Sequence, residues 1–191
     1  MEVAQYLDEA LHLSEQQLEA GLAHILQSPK DGGVVDMIVR RPQSEHREVL
    51  EQGDLDVAQG LLGDNWRARG YRKTADGVAH PEMQINIMNS RVIDLLATSK
   101  KRWAMAGDQF FVDLDLSDDN LPPGTRLRIG EAVIEITAEP HLGCKKFVAR
   151  FGLAAMLFVN SGRGTELNLR GINAKVIAPG KVAVGDSLSK Q

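Results

Sequence analysis

AGDQFFVDLDLSDDNLPPGTRLRIGEAVIEIT, residues 106–137, decides how this chain folds. Phe110, Val112, Leu114 and Leu116 alternate with Phe111, Asp113 and Asp115, the two-residue period of a strand with one face buried. Pro122-Pro123-Gly124 turns the chain, and Ala132, Ile134 and Ile136 share one face of the strand beyond. Further on, AKVIAPGKVAVGD (174–186) reads as a hairpin turning around Pro179-Gly180. Upstream, GVVDMIVRR (33–41) is rich in β-branched residues and reads as another strand. In QINIMNSRVIDLLATS (84–99) a strand gives way to a helix at Asn89, a suitable N-cap, with Val92, Ile93 and Leu96 as its buried stripe.

The remaining segments fit around these strands. Residues 2–27 read as helical. Ser14 and Gln17 have the spacing of a capping box ahead of Leu18, Leu22, Ile25 and Leu26, and a separate short helix carries Val3, Leu7, Ala10 and Leu11. Pro29 and Gly32-Gly33 end this region. YRKTADGVAH (71–80) is a surface loop. The fold class is therefore mainly β (α+β), a barrel or sandwich with N-terminal helices and a few inserted ones, the helices being confined mainly to residues 2–27 and 89–99.

With 191 residues, 43% hydrophobic and 25% charged, the chain can bury one ordinary core. No window approaches the ~18 unbroken apolar residues of a membrane span. MEVAQYLDEALHL lacks the basic start and apolar run of a secretory signal, so a cytoplasmic protein is expected. One cysteine excludes an internal disulfide and a cysteine-built zinc site, and the five scattered histidines form no zinc-binding pattern. A net charge of -4 argues against bulk nucleic-acid binding. The charge is uneven, however: from His141 onward eight basic residues face only Glu166 and Asp186. Such a segment marks either a small-anion site or solvated strand faces balanced by the acidic part.

Three constellations bear on chemistry. DLDLSDDN (113–120) lacks the glycine and glutamate of a calcium loop and reads as a solvated face. SGRGT (161–165) is a basic glycine-containing loop, either an anion cradle or an ordinary turn. EPHLGCKKF (139–147) holds the sole cysteine. Cys144 either packs as a small hydrophobe or works as a thiolate. It follows a Pro-His-Leu-Gly bend rather than an alternating apolar face, and Lys145, Lys146 and His141 would favour the thiolate, which can carry a persulfide, attack an electrophile or bind a soft metal.

The order of these segments resembles the MOSC family, named after the C-terminal domain of molybdenum cofactor sulfurase. The resemblance runs over residues 33–188. It rests on the GVVDMIVRR strand, Gly63-Asp64, Gly107-Asp108, Gly124 with Arg128-Ile129-Gly130, the single cysteine after a strand, Arg170-Gly171 and Val184-Gly185-Asp186. Gly143 stands where the family often has proline before the cysteine. The resemblance implies a distorted β-barrel over 33–191, and residues 1–32 read as a helical extension packed on it. It implies a molybdenum-molybdopterin cofactor rather than pyridoxal phosphate. Cys144 would be the catalytic residue and metal ligand, or a persulfide sulfur carrier. His141, Lys145, Arg163 and Arg170 would bind the cofactor, the arginines converging on its phosphate. An enzyme of this kind would reduce N-hydroxylated compounds with electrons from a separate donor protein. The alternative is a non-catalytic module binding a small anion or a protein on the same barrel.

Overall fold

The structure, a computed structural model, describes residues 11–191. The expected short helix through Val3, Leu7 and Ala10 lies outside the described residues. Ser14 caps α1 (Glu15–Ile25): its hydroxyl accepts from Gln17 N at 3.3 Å and Gln17 Oε1 accepts from Ser14 N at 2.9 Å. This reciprocal pair is the expected capping box. Leu18, Leu22 and Ile25 form the buried stripe of α1.

The chain continues through β1 (Gly33–Arg40), β2 (Glu48–Leu50), β3 (Gln52–Asp56), β4 (Gly60–Leu61), the single turn α2 (Trp66–Arg69) and β5 (Ile85–Asn89). α3 (Ser90–Ala97) starts at Asn89, whose side chain accepts from Arg91 N and Val92 N, as expected. β6 (Phe110–Asp113), β7 (Arg126–Ile129) and β8 (Ala132–Ile136) come from the alternating stretch. α4 (Lys145–Asn160), α5 (Gly162–Glu166), β9 (Ile172–Ala178), β10 (Gly180–Ala183) and β11 (Ser187–Lys190) complete it.

The large sheet runs β11-β7-β8-β9-β5-β6-β1-β2, and β1 also pairs with β11. That extra pairing closes seven strands into a barrel, with β2 hanging from β1 as a hairpin arm. Only β5 and β6 run parallel within it, joined by the α3 crossover. No helix among the described residues is long and apolar enough to cross a membrane.

A β-bulge between Val35 and Met37 interrupts the β1–β6 register. It flips the parity of β1, so that Val35 and Ile38 enter the barrel while Met37 and Val39 point outward. Outward does not mean solvated. α1, α3 and α4 cover that wall and create a second core on its outer surface. Phe110 fills the barrel and its neighbour Phe111 fills the outer core, both fully buried. Asp113, expected on a solvated face, is half-buried and receives both ends of the Arg91 guanidinium, at 2.8 and 2.9 Å.

Two expectations need correction. Helix outside 2–27 and 89–99 is more extensive than expected, because residues 145–160 form α4, whose Phe147, Phe151, Ala155, Phe158 and Val159 are buried at helical spacing. Gly152 (φ 88°, ψ 165°) breaks it into two segments in a conformation that favours glycine, and a Cβ there would also meet the His12 ring at 3.0 Å. Nor do β9 and β10 form a hairpin. Both edges of β9 are already taken by β5 and β8, so β10 crosses to β3 and builds a small sheet, β10-β3-β4.

If the outer core is as dry as its burial indicates, Phe111→Ala will cost about 3–5 kcal/mol of unfolding free energy. Urea denaturation measures it. A loss under about 1 kcal/mol would mean that the helical layer does not pack on the barrel.

Candidate functional site

Arg41 follows β1, Asp108 precedes β6, Arg170 precedes β9 and His141 follows β8, and the strand pairings bring these four positions to one end of the barrel. Gly107 (φ 90°) turns the chain into Asp108, whose carboxylate is fully buried. Arg170 Nη1 donates to both of its oxygens, at 3.0 and 2.8 Å, and His141 Nε2 lies 2.7 Å from Oδ1. Arg170 Nη2 donates to Ala106 O at 3.1 Å, and the guanidinium stands 4.9 Å from the centre of the Phe147 ring. Burial alone would raise the Asp108 pKa, but Arg170 and then His141 outweigh it and hold the carboxyl at about 2. Burial, helped by Arg170, lowers the His141 pKa against the pull of Asp108. The imidazole is therefore neutral at pH 7, donates from Nε2 and keeps Nδ1 as an acceptor, an assignment that follows from the hydrogen-bond network.

The loop from His141 ends at Cys144, which is exposed and takes the N-cap position of α4. Its carbonyl accepts from Phe147 N and Val148 N at 2.8 and 3.1 Å. Asn160, at the far end of the same helix, clamps the preceding residue. Its Oδ1 accepts from Gly143 N at 2.9 Å and its Nδ2 donates to Gly143 O at 3.1 Å. The thiol is thus held by backbone on both sides while its sulfur stays open.

Cys144 borders a cavity of about 360 Å³. Arg41, Arg47, Arg69, Lys146, Arg150 and Arg170 line it. Some of these cations are tied down from behind. Arg41 donates from Nε and Nη2 to Asp64 at 2.8 and 2.9 Å and from Nη1 to Asn86 Oδ1 and Gly107 O, both at 2.8 Å. Gly63 (φ 79°) makes the turn that brings Asp64 there. Arg150 donates to Met105 O at 2.8 Å. Crowding shows in Arg47, whose pKa is lowered to about 10 by burial first and then by Arg150 and Arg41. A second cavity, of about 430 Å³, lies across a wall that includes His141 and Arg170.

Of the residues expected at a site, Cys144, His141 and Arg170 line the first cavity. Lys145 is exposed and outside its lining. Arg163 is exposed on α5, also outside it, so the two arginines do not converge on Cys144. SGRGT is a short capped helix, with Ser161 Oγ accepting from Gly164 N at 2.9 Å. Sequence reasoning missed Arg41, Arg47, Arg69 and Arg150. The only available signal was the arginine-rich RRPQSEHR after β1, since nothing local joins it to α2 or α4. Histidine does gather with carboxylates at one place. His80, Glu82 and Glu139 present ligand-type atoms within 4.8 Å of one another. His80 Nδ1 accepts from Glu82 N at 3.3 Å, and Nε2 faces Glu139 Oε1 at 3.7 Å, within ion-pair reach but beyond a hydrogen bond.

Because Asp108 titrates at about 2 folded and 3.8 unfolded, its stabilisation is present above 3.8 and lost as pH falls toward 2. The loss amounts to about 2 kcal/mol. Asp108→Asn should remove that part of the acid limb in denaturation series run from about pH 7 to about pH 2. An acid limb identical to wild type would overturn the assignment. Arg170→Ala strands the buried carboxylate and should cost about 3–5 kcal/mol at neutral pH, measured the same way.

The MOSC domain family model matches residues 72–189. No curated protein matches the sequence. Among solved structures, YuaD from Bacillus subtilis is similar with a TM-score of 0.62 at 18% identity, covering 83% of this chain and 97% of its own. YiiM from Escherichia coli gives 0.52 at 22%, covering 83% and 69%. YiiM from Geobacillus stearothermophilus gives 0.50 at 11%, covering 85% and 74%. These likenesses show a shared fold. With the family model matched over more than half of its length, the chain belongs to the MOSC domain family.

Proposed function

We propose that the cation-lined cavity binds a phosphate-bearing molybdenum-pterin, with Cys144 as the thiolate ligand of the metal. MOSC domains are associated with molybdenum-cofactor-binding proteins. The observation that carries the reading is the pairing of one exposed thiol with six cationic side chains around one cavity. The donor set fits the group. Sulfur suits a soft metal, and guanidinium forks suit phosphate oxygens. Two buried polar atoms at the site, Asn65 Oδ1 and Arg170 Nε, make no hydrogen bond, as expected where a ligand completes the network.

The chain's own residues divide the work. Arg47 and Arg150 attract and orient the anionic end. Arg41 and Arg170, held by Asp64 and Asp108, fix the wall against which it sits. Neutral His141 offers Nδ1 as a proton acceptor beside the cavity. Asn160 fixes the loop that aims the thiol. When bound, the cofactor supplies a centre that exchanges two electrons, and the reaction we assign is reduction of an N-hydroxylated compound fed by a separate electron-donor protein. The exposure of Cys144 also favours a second reading, in which the thiol carries a persulfide sulfur and the cations hold the acceptor.

Metal and pterin analysis of protein purified from its native host tests the first reading. Wild type should carry molybdenum and pterin, and Cys144→Ser should lose the metal with unfolding free energy changed by less than about 0.5 kcal/mol. Iodoacetamide should label native Cys144, and bound cofactor should protect it. Sulfane sulfur on wild type without molybdenum would move the assignment to the persulfide carrier. A native thiol that labels only after unfolding would sink both.

A further inference from the structure

The cavity contains an anion of its own. Among the described residues lining it, Glu45 alone carries a carboxylate. One oxygen accepts from Lys146 Nζ at 2.5 Å and the other from Arg150 Nη2 at 2.6 Å. The carboxylates behind the wall are built differently. Asp64 and Asp108 are completely buried and tied to Arg41 and Arg170 by paired bonds. Glu45 is 42% exposed and sits in the loop between β1 and β2. Its φ is 60°, a left-handed conformation that a glutamate adopts only at a cost. The loop therefore accepts strain to place this carboxylate on Lys146 and Arg150.

Two oxygens of one anion, received by an ammonium and a buried guanidinium, form the arrangement that two oxygens of a phosphoryl group would take. We propose that Lys146 and Arg150 form the phosphate subsite and that Glu45 is its displaceable internal occupant, leaving for solvent when a ligand's phosphate arrives. The proposal rests on the reading that this cavity takes a phosphate-bearing ligand, and adds where the phosphate goes and what it must displace. Exchange is favoured by the higher charge of the phosphate and by release of the Glu45 backbone. It is opposed by loss of a pair that is exposed on the Glu45 and Lys146 side and so cheap to break. With no ligand present, Glu45 thereby offsets part of the repulsion among the cavity's cations.

Titration of the full chain with inorganic pyrophosphate tests this. Glu45→Gln keeps the size and removes the competing charge, so it should bind pyrophosphate about three- to tenfold tighter than wild type. Lys146→Ala, at an exposed position, should bind more weakly. In wild type, saturating pyrophosphate should speed amide exchange across residues 43–47 as the loop is released, a readout that needs no variant. Equal or weaker binding by Glu45→Gln, or slowed exchange in that loop, would make Glu45 a structural support and overturn the proposal, while a loss in Lys146→Ala would leave the phosphate-cavity reading intact. No pyrophosphate binding by either wild type or Glu45→Gln would overturn both.

Discussion

Asp108 keeps its negative charge at full burial between Arg170 and His141, and the end of the barrel that borders the candidate site is assembled around that charge. The three residues enter from three separate strand ends. A carboxylate taken out of water costs several kcal/mol unless its lone pairs are met, and here both oxygens are met by charged or strongly polar donors. The arrangement also sets His141. By accepting from Nε2, Asp108 fixes the tautomer of the residue three positions before the thiol. Arg170 lies over Phe147, so the same pair reaches the first turn of the helix that starts at Cys144.

Helical cover on the barrel shapes the other half of the site. The bulge at β1 switches which residues face inward, letting Met37 and Val39 join Phe111 in a core outside the barrel. α4 belongs to that outer core through Phe147, Phe151 and Phe158. Packing against the wall thus locates the helix, and the helix locates Cys144, Lys146 and Arg150. The candidate thiol is thus placed from outside the barrel, whereas the buried Asp108 carboxylate lies at the barrel end.

Features with a local cause were legible in the sequence. Ser14 and Asn89 read as caps because a cap needs only the next three residues. The strands of 106–137 read from their period, and the order of short motifs led to the family. Features decided by pairing elsewhere were not legible. β10 looks like the second arm of a hairpin until β9 proves to have no free edge. α4 follows a Pro-His-Leu-Gly bend, carries Gly152 within it and sits among strands, so its helical spacing was overlooked. Arg41, Arg47, Arg69 and Arg150 reach one cavity from three distant segments, and Asp108 appeared only as part of a motif, with no sign of its partners. Arg163, by contrast, attracted notice through flanking glycines that serve a short capped helix.

Closure of the barrel rests on pairing Gly33 with Leu188 and Val34 with Ser187. These are among the most distant contacts the described chain makes, and they form only once both ends of the barrel sequence are present. Such non-local closure slows folding, because the entropy of a long loop is lost before the contact rewards it. On a ribosome, β1 emerges before β11 and must wait for it with one edge unsatisfied. An open edge on an apolar strand is what mispairs with another chain. This fold therefore carries a period of vulnerability during synthesis that ends with its last strand, and nascent-chain binding by chaperones would be concentrated in that interval.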